Sequence, residues 1–165
     1  FANLACCFNS FGDQIISGGI DNEIKIWDIR ASKISFIIRG HSDSVTGIKI
    51  TTDDSYVISN SMDNSVRMWD IYPYCKGDRC VKMFFGHTHN FEKNLLRCCF
   101  SSNNKYIASG SGDCCVYVWD CVTRSLIYKL PGHDGSVNDV DFHPHESIIA
   151  SCSSDKNVYI GELNL

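Results

Sequence analysis

Residues 40–70 read GHSDSVTGIKITTDDSYVISNSMDNSVRMWD. Short runs of β-branched and aromatic residues, Val45–Ile50, Tyr56–Asn60 and Ser65–Ile71, alternate with polar turns at Thr51–Ser55 and Met62–Asn64. Alternation of this kind predicts strands, and Asp-Asn between two runs predicts a tight hairpin. A fourth run, Val81–Phe85, closes on Gly86-His87, which restarts the pattern.

Gly-His stands at 40–41, 86–87 and 132–133, two intervals of 46 residues. Trp-Asp stands at 27–28, 69–70 and 119–120, with Gly161-Glu162 at the corresponding place of the last copy. Six residues before each sits an aspartate (Asp21, Asp63, Asp113, Asp155), and four before that a serine (Ser17, Ser59, Ser109, Ser151). A fixed period of this length is the mark of a repeat architecture, in which each unit buries its faces against its neighbours. No stretch carries a helical period. Pro73, Pro131 and Pro144 fall between the expected strands, where a missing donor does little harm.

These residues resemble the WD-repeat family of β-propellers, whose repeats make four-stranded blades bounded by Gly-His and Trp-Asp. The resemblance implies an all-β partial ring of about four blades, three complete and one lacking its outer strand. The expected repeats are 1–39, 40–85, 86–131 and 132–165 of a single domain. It also implies a buried His-Ser-Asp-Trp relay in each blade. The second blade would use His41, Ser59, Asp63 and Trp69, and the third His87, Ser109, Asp113 and Trp119. The fourth would use His133, Ser151 and Asp155 with Gly161 in place of Trp, and the first Ser17, Asp21 and Trp27. Innermost strand Leu4–Phe8 opens the first blade and Val158–Glu162 is the third strand of the last. Because the chain starts at Phe1 and holds three and a half repeats, it reads as the C-terminal half of a longer ring. In isolation such an arc is expected to self-associate through exposed edges.

Composition sets the outer bounds. The 165 residues are 44% hydrophobic, 21% charged and 12% aromatic, enough for a packed core. No apolar run approaches the roughly 20 residues of a membrane helix, and no membrane contact is expected. A net charge of −4 with scattered Lys and Arg argues against a dedicated nucleic-acid grip. Ten cysteines include the neighbours Cys6-Cys7, Cys98-Cys99 and Cys114-Cys115. Strand neighbours point to opposite faces, so such a pair cannot share a bridge or a metal. Free thiols and a reducing compartment are expected.

Serine, histidine and aspartate recur, yet a catalytic triad is needed once and a scaffold motif in every blade. No nucleophile elbow, phosphate loop or zinc-protease motif is present. His87-x-His89 and His143-x-His145 read as solvated loop residues rather than metal pairs. Neither catalytic nor metal-ligating residues, nor any cofactor, are expected. The basic residues Arg30, Lys33 and Arg39, and likewise Lys76, Arg79 and Lys82, read as solvated surface.

Two insertions break the period. Histidine to aspartate is 22 residues in copies two and four but 26 in copy three, where the extra four fall within HTHNFEKNL, 87–95. The loop IYPYCKGDRC, 71–80, is also long. Together with DQIISGGIDNEIKIWDIR and SNSMDNSVRMWD, the stretch HNFEKNLLR resembles the C-terminal half of WD-repeat subunits of the spliceosomal U5 particle. That resemblance implies a nuclear, non-enzymatic scaffold of pre-mRNA splicing, docked on the large central scaffold protein of the particle, with RNA contacted only indirectly. The alternative is another WD-repeat adaptor, such as a ubiquitin-ligase substrate receptor or a signalling scaffold. In this family, rim positions precede the relay aspartate or flank the innermost strand. Candidate partner-binding residues are therefore Ile20 and Met62, then Ser44, Thr46, Asn94, Leu96, Ser136 and Asn138. Inserted Phe91 is added as an aromatic anchor.

Overall fold

A computed structural model describes residues 2–164, and every described regular element is a β-strand. Phe1 and Leu165, on which the first and last expected repeats begin and end, lie outside the described residues.

The strands fall into four antiparallel sheets in chain order. The first contains β1 (Asn3–Phe8), β2 (Gln14–Gly19), β3 (Ile24–Asp28) and β4 (Lys33–Ile38). The second contains β5 (Val45–Ile50), β6 (Tyr56–Ser61), β7 (Ser65–Asp70) and β8 (Cys80–Phe84). The third contains β9 (Cys98–Phe100), β10 (Tyr106–Gly110), β11 (Cys115–Asp120) and β12 (Leu126–Pro131). The fourth has three strands, β13 (Val137–Phe142), β14 (Ile148–Ser153) and β15 (Val158–Glu162). Each sheet is a meander, and the first strands are neighbours: β1 lies against β5, β5 against β9, and β9 against β13. This is an arc of blades around an inner row of strands. The expected strands of the second repeat are displaced by one residue at most.

Both faces of each inner blade are buried, and the period of two decides which residue enters which core. Val57 packs between blades one and two, whereas its neighbour Ile58 packs between blades two and three. Cys98 enters the second of these cores and Cys99 the third, between blades three and four. The adjacent cysteines thus point to opposite faces, and all ten cysteines are free. Burial pushes the thiols of Cys7 and Cys98 up to about 12, so they remain neutral core side chains.

The turns are set by short polar residues. Each relay aspartate precedes a left-handed residue: Asn22, Asn64, Cys114 and Lys156, with φ of 64°, 61°, 67° and 71°. Asparagine tolerates this region; cysteine and lysine hold it only because the flanking strand pairs fix the hairpin. At the opposite end, the aspartate of each Trp-Asp pair caps the next turn. Asp28 accepts from Ala31 N–H, Asp70 from Tyr72 N–H, and Asp120 from Val122 and Thr123 N–H.

Candidate functional site

The relays lie at the end of the arc where the β2–β3, β6–β7, β10–β11 and β14–β15 hairpins meet the connections between blades. In blade two the full chain of hydrogen bonds forms. The Trp69 indole N–H donates to Ser59 Oγ at 2.7 Å, Ser59 donates to His41 Nε2 at 2.6 Å, and His41 Nδ1–H donates to Asp63 at 2.8 Å. Asp63 also accepts from the Ser42 and Ser65 backbones, the Ser65 hydroxyl and Arg67. Burial alone would raise the Asp63 carboxyl, but these donors outweigh it and hold it well below the ordinary range. Burial lowers His41 despite its carboxylate partner, so the neutral imidazole with Nδ1–H is the form the relay holds.

Blade four forms the same relay without an indole. His133 Nδ1 lies 2.8 Å from Asp155 and Nε2 lies 2.9 Å from Ser151 Oγ. Burial pushes Asp155 up, while Asn157 N–H, His133 and Asp134 N–H bring it down to about 2. In blade one, Trp27 N–H donates to Ser17 Oγ at 2.8 Å, and Asp21 pairs with Lys25.

Blade three departs from the expected set. His87 meets neither Ser109 nor Asp113; its Nε2–H donates to Asn60 Oδ1 of blade two at 2.9 Å. The Trp119 N–H donates to Phe85 O at 3.0 Å instead of Ser109. Asp113 takes Tyr117 O–H and the ammonium of Lys129. The insertion is the physical reason. In blades two and four the residue before the relay aspartate is tied to the carbonyl three places after the histidine, Met62 N–H to Ser44 O and Ser154 N–H to Ser136 O. In blade three, Gly112 N–H reaches Thr88 O, one place after His87. The added residues therefore follow Thr88, and His87 is drawn away from Asp113.

The same shift corrects two other readings. His87 is not a solvated loop residue: it is 1% exposed, with its ring edge-on to Trp119. His89 is half-buried and shares Asn60 Oδ1 with it. Burial of both rings brings them down to about 4, helped at His87 by the charge of His89. His143 and His145 are exposed, as expected of loop residues. No group of three metal-ligating side chains occurs among the described residues.

The candidate rim residues divide. Ile20 is 47% exposed and Phe91 94%, while Ser44, Met62, Asn94 and Asn138 are half-buried. Thr46, Leu96 and Ser136 are buried and cannot meet a partner without unfolding their surroundings. Thr46 Oγ1 donates to Leu96 O at 2.8 Å, so these two positions join blade two to blade three. Asn94 is also not the counterpart of Ser44, because Thr88 takes that bond.

Leu95, 41% exposed and four residues after Phe91 in the same insertion, adds a further exposed apolar side chain that the family spacing does not pick out. The opposite rim exposes Phe11, Tyr72, Tyr74 and Val122 as well. The long 71–80 loop is the sequence signal for the two tyrosines. Its Arg79 is internal to the loop, donating to the carbonyls of Asp70, Tyr72 and Pro73. Arg39 pairs with Glu23, and Lys82 donates to Cys121 O, so with Arg79 three of the six residues in the two basic patches have partners within the fold.

The sequence pattern described as WD domain, G-beta repeat matches residues 4–28, 32–70, 78–120 and 124–160, one match per blade. The chain belongs to this family. It is 58% identical over 97% of its length to the human U5 small nuclear ribonucleoprotein 40 kDa protein, covering 45% of that protein. It is 49% identical over 93% of its length to the pre-mRNA-splicing factor cwf17 of Schizosaccharomyces pombe, again covering 45% of the relative. The U5 small nuclear ribonucleoprotein 40 kDa protein of Dictyostelium discoideum is likewise 49% identical, over 95% of this chain and 44% of the relative. The chain thus spans a little under half the length of the relatives it matches. The four repeat matches agree with the four blades of the arc.

Proposed function

We propose that the chain is a non-enzymatic, nuclear scaffold segment of the U5 particle in pre-mRNA splicing. The observation that carries the reading is the identity of 49–58% to U5 and splicing proteins through all four blades. The geometry supports the non-catalytic part. In blade two the Ser-His-Asp set is covered: Ser59 is fully buried and its oxygen is taken by the Trp69 N–H, leaving no room for a substrate carbonyl. The hydroxyl instead links strands β6 and β7 to the connection that carries His41.

Partner binding is assigned to the rim that displays exposed Ile20, Phe91 and Leu95 and half-buried Met62, where Met62 stands on a hairpin pinned by the repeated backbone bond to Ser44 O and Phe91 and Leu95 stand on the insertion between blades two and three. Rigid presentation of apolar anchors suits a protein partner, because little ordering cost remains at docking. A large scaffold protein of the particle is the proposed partner, with RNA held indirectly. Affinity purification of the tagged chain from nuclear extract tests this. U5 RNA and splicing proteins are expected; ubiquitin-ligase subunits or signalling proteins in their place would refute it.

A further inference from the structure

Blade three keeps all four relay side chains and joins none of them into a relay. Asn60 of blade two holds His87 and also donates to Ser109 Oγ at 2.9 Å. Phe85 O takes the Trp119 indole N–H, and Tyr117 with Lys129 holds Asp113. These substitute partners do not cover every atom. Among the described residues five buried side-chain polar atoms have no hydrogen-bond partner, and three of them are here: His87 Nδ1, His89 Nδ1 and Asp113 Oδ1. In blades two and four the histidine Nδ1 is the atom bonded to the aspartate. A buried acceptor left unpaired costs its desolvation, so blade three holds an under-satisfied arrangement of side chains that elsewhere pair fully. Every group involved lies in blades two and three, each of which has a neighbour on both sides.

The insertion keeps His87 away from Asp113. Thr88 N–H donates to Ser111 Oγ at 3.0 Å, His89 N–H to Asn64 Oδ1 at 2.6 Å, and the Asn90 side-chain amide to Gly112 O. Residues 88–90 thus lie as a strap across the β6–β7 and β10–β11 hairpins. Gly112 makes room for it. A Cβ at residue 112 would stand 2.6 Å from Asn90 Cγ and 2.9 Å from the Asn90 backbone nitrogen. The equivalent positions carry Ile20, Met62 and Ser154, and the blades of Met62 and Ser154 join histidine to aspartate. A side chain at this position is therefore compatible with a closed relay and incompatible with the strap as it lies. Gly112 is not one of the glycines with left-handed φ, so alanine fits its backbone.

We propose that residues 88–93 are a strap with two positions, and that closing the relay of blade three is the second. In the first position, that of the structure, the strap lies on Gly112 and Asn60 holds His87. In the second, the strap lifts from Gly112, His87 Nδ1–H donates to Asp113 Oδ1, and Ser109 Oγ–H donates to His87 Nε2. The His87 proton leaves Nε2 and one is taken up at Nδ1 by exchange with water, so the ring stays neutral. Asn60 Oδ1 keeps His89, which already shares it. Phe91 rides on the strap, so its place relative to Ile20 and Met62 differs between the two positions. A partner that grips Phe91 together with those residues selects one position and thereby sets the relay. That consequence rests on the rim reading given above; the two positions themselves do not.

The test reads the histidine tautomers of the purified, nitrogen-15-labelled chain at pH 7.5 by long-range proton–nitrogen correlation. His41 and His133 are internal references for the Nδ1–H form, and His87 is expected in the Nε2–H form. Gly112→Ala is expected to convert His87 to Nδ1–H while the two reference signals stay in place. Adding Asp113→Ala removes the acceptor and is expected to cancel the conversion. His87 remaining Nε2–H in a Gly112→Ala chain that keeps its references overturns the proposal, as does a conversion that survives Asp113→Ala. If Gly112→Ala loses the references, saturation-transfer exchange on His87 of the unsubstituted chain decides. A minor state with the Nδ1–H shift supports the strap, and a single state overturns it. No reading uses U5 material, so absent U5 RNA with the expected tautomers refutes the rim assignment and not the strap.

Discussion

Ser59→Ala isolates what the buried relay contributes, and Ser151→Ala is its internal control. Ser59 is fully buried, receives the Trp69 N–H at 2.7 Å and donates to His41 Nε2 at 2.6 Å. Removing its oxygen orphans two buried groups at once, the indole donor and the imidazole lone pair. Each unsatisfied group costs about 1–3 kcal/mol, and because the two share one network their sum is about 2–4 kcal/mol. In blade four no indole is present, and Ser151 lines a cavity that admits water. Ser151→Ala therefore orphans one nitrogen that can be rehydrated, at a cost of about 1 kcal/mol or less. Urea unfolding at pH 7.5 should place Ser59→Ala about 2 kcal/mol below Ser151→Ala with unchanged slopes. In a Trp69→Phe background, which lacks the donor, the cost of Ser59→Ala should shrink by about 1 kcal/mol. Equal costs for the two serines within 0.5 kcal/mol, or no coupling to Trp69, would refute the relay account.

Other outcomes follow from the same geometry. Trp69→Ala, which empties the core between blades one and two, should cost about 3–5 kcal/mol by urea titration, with the first two blades losing amide protection before the fourth. His87 and His89 sit near 4 in the folded chain against about 6.5 unfolded, so the unfolded chain binds protons more readily. Stability should therefore fall as pH drops from 6.5 to 4, by up to about 3 kcal/mol from His87, and His87→Gln should flatten that part of the urea-midpoint profile. Below pH 4 the depressed carboxyls of Asp63 and Asp155 add a further loss as they protonate. Gly110→Ala should destabilise by more than 2 kcal/mol in the same titration, because a Cβ there collides with Val137 O on the inner strand of the next blade.

The repeat spacing made the blades legible, because Gly-His, the relay serine and aspartate, and Trp-Asp each mark a strand end or a turn. The two blades that keep the 22-residue interval, two and four, join histidine to aspartate, whereas the relay expected in blade three from the same residue types does not form. The 26-residue interval of blade three placed an insertion within 87–95 but not its effect on His87. The backbone bond from Gly112 to Thr88 settles that, and through-space capture of His87 by Asn60 of the neighbouring blade has no local sequence signal. Burial of Thr46, Leu96 and Ser136 was hidden for a similar reason. These positions lie where an inner strand meets the next blade, and inward or outward direction there depends on packing between blades rather than on the pattern within one. Gly161 was visible as a lost tryptophan, and the register agrees: it pairs with Ile149 as Trp69 pairs with Val57.

Binding of the U5 particle through the rim that carries Met62 and Phe91 is the proposed role of the folded arc. The decisive measurement is recovery of U5 RNA from nuclear extract by the tagged chain, compared with the Met62→Asp/Phe91→Ala double variant at matched unfolding midpoints. U5 RNA is expected with the parent chain, with at least a tenfold loss in the double variant. Unchanged recovery by a folded double variant, or no U5 RNA with the parent chain, would contradict it.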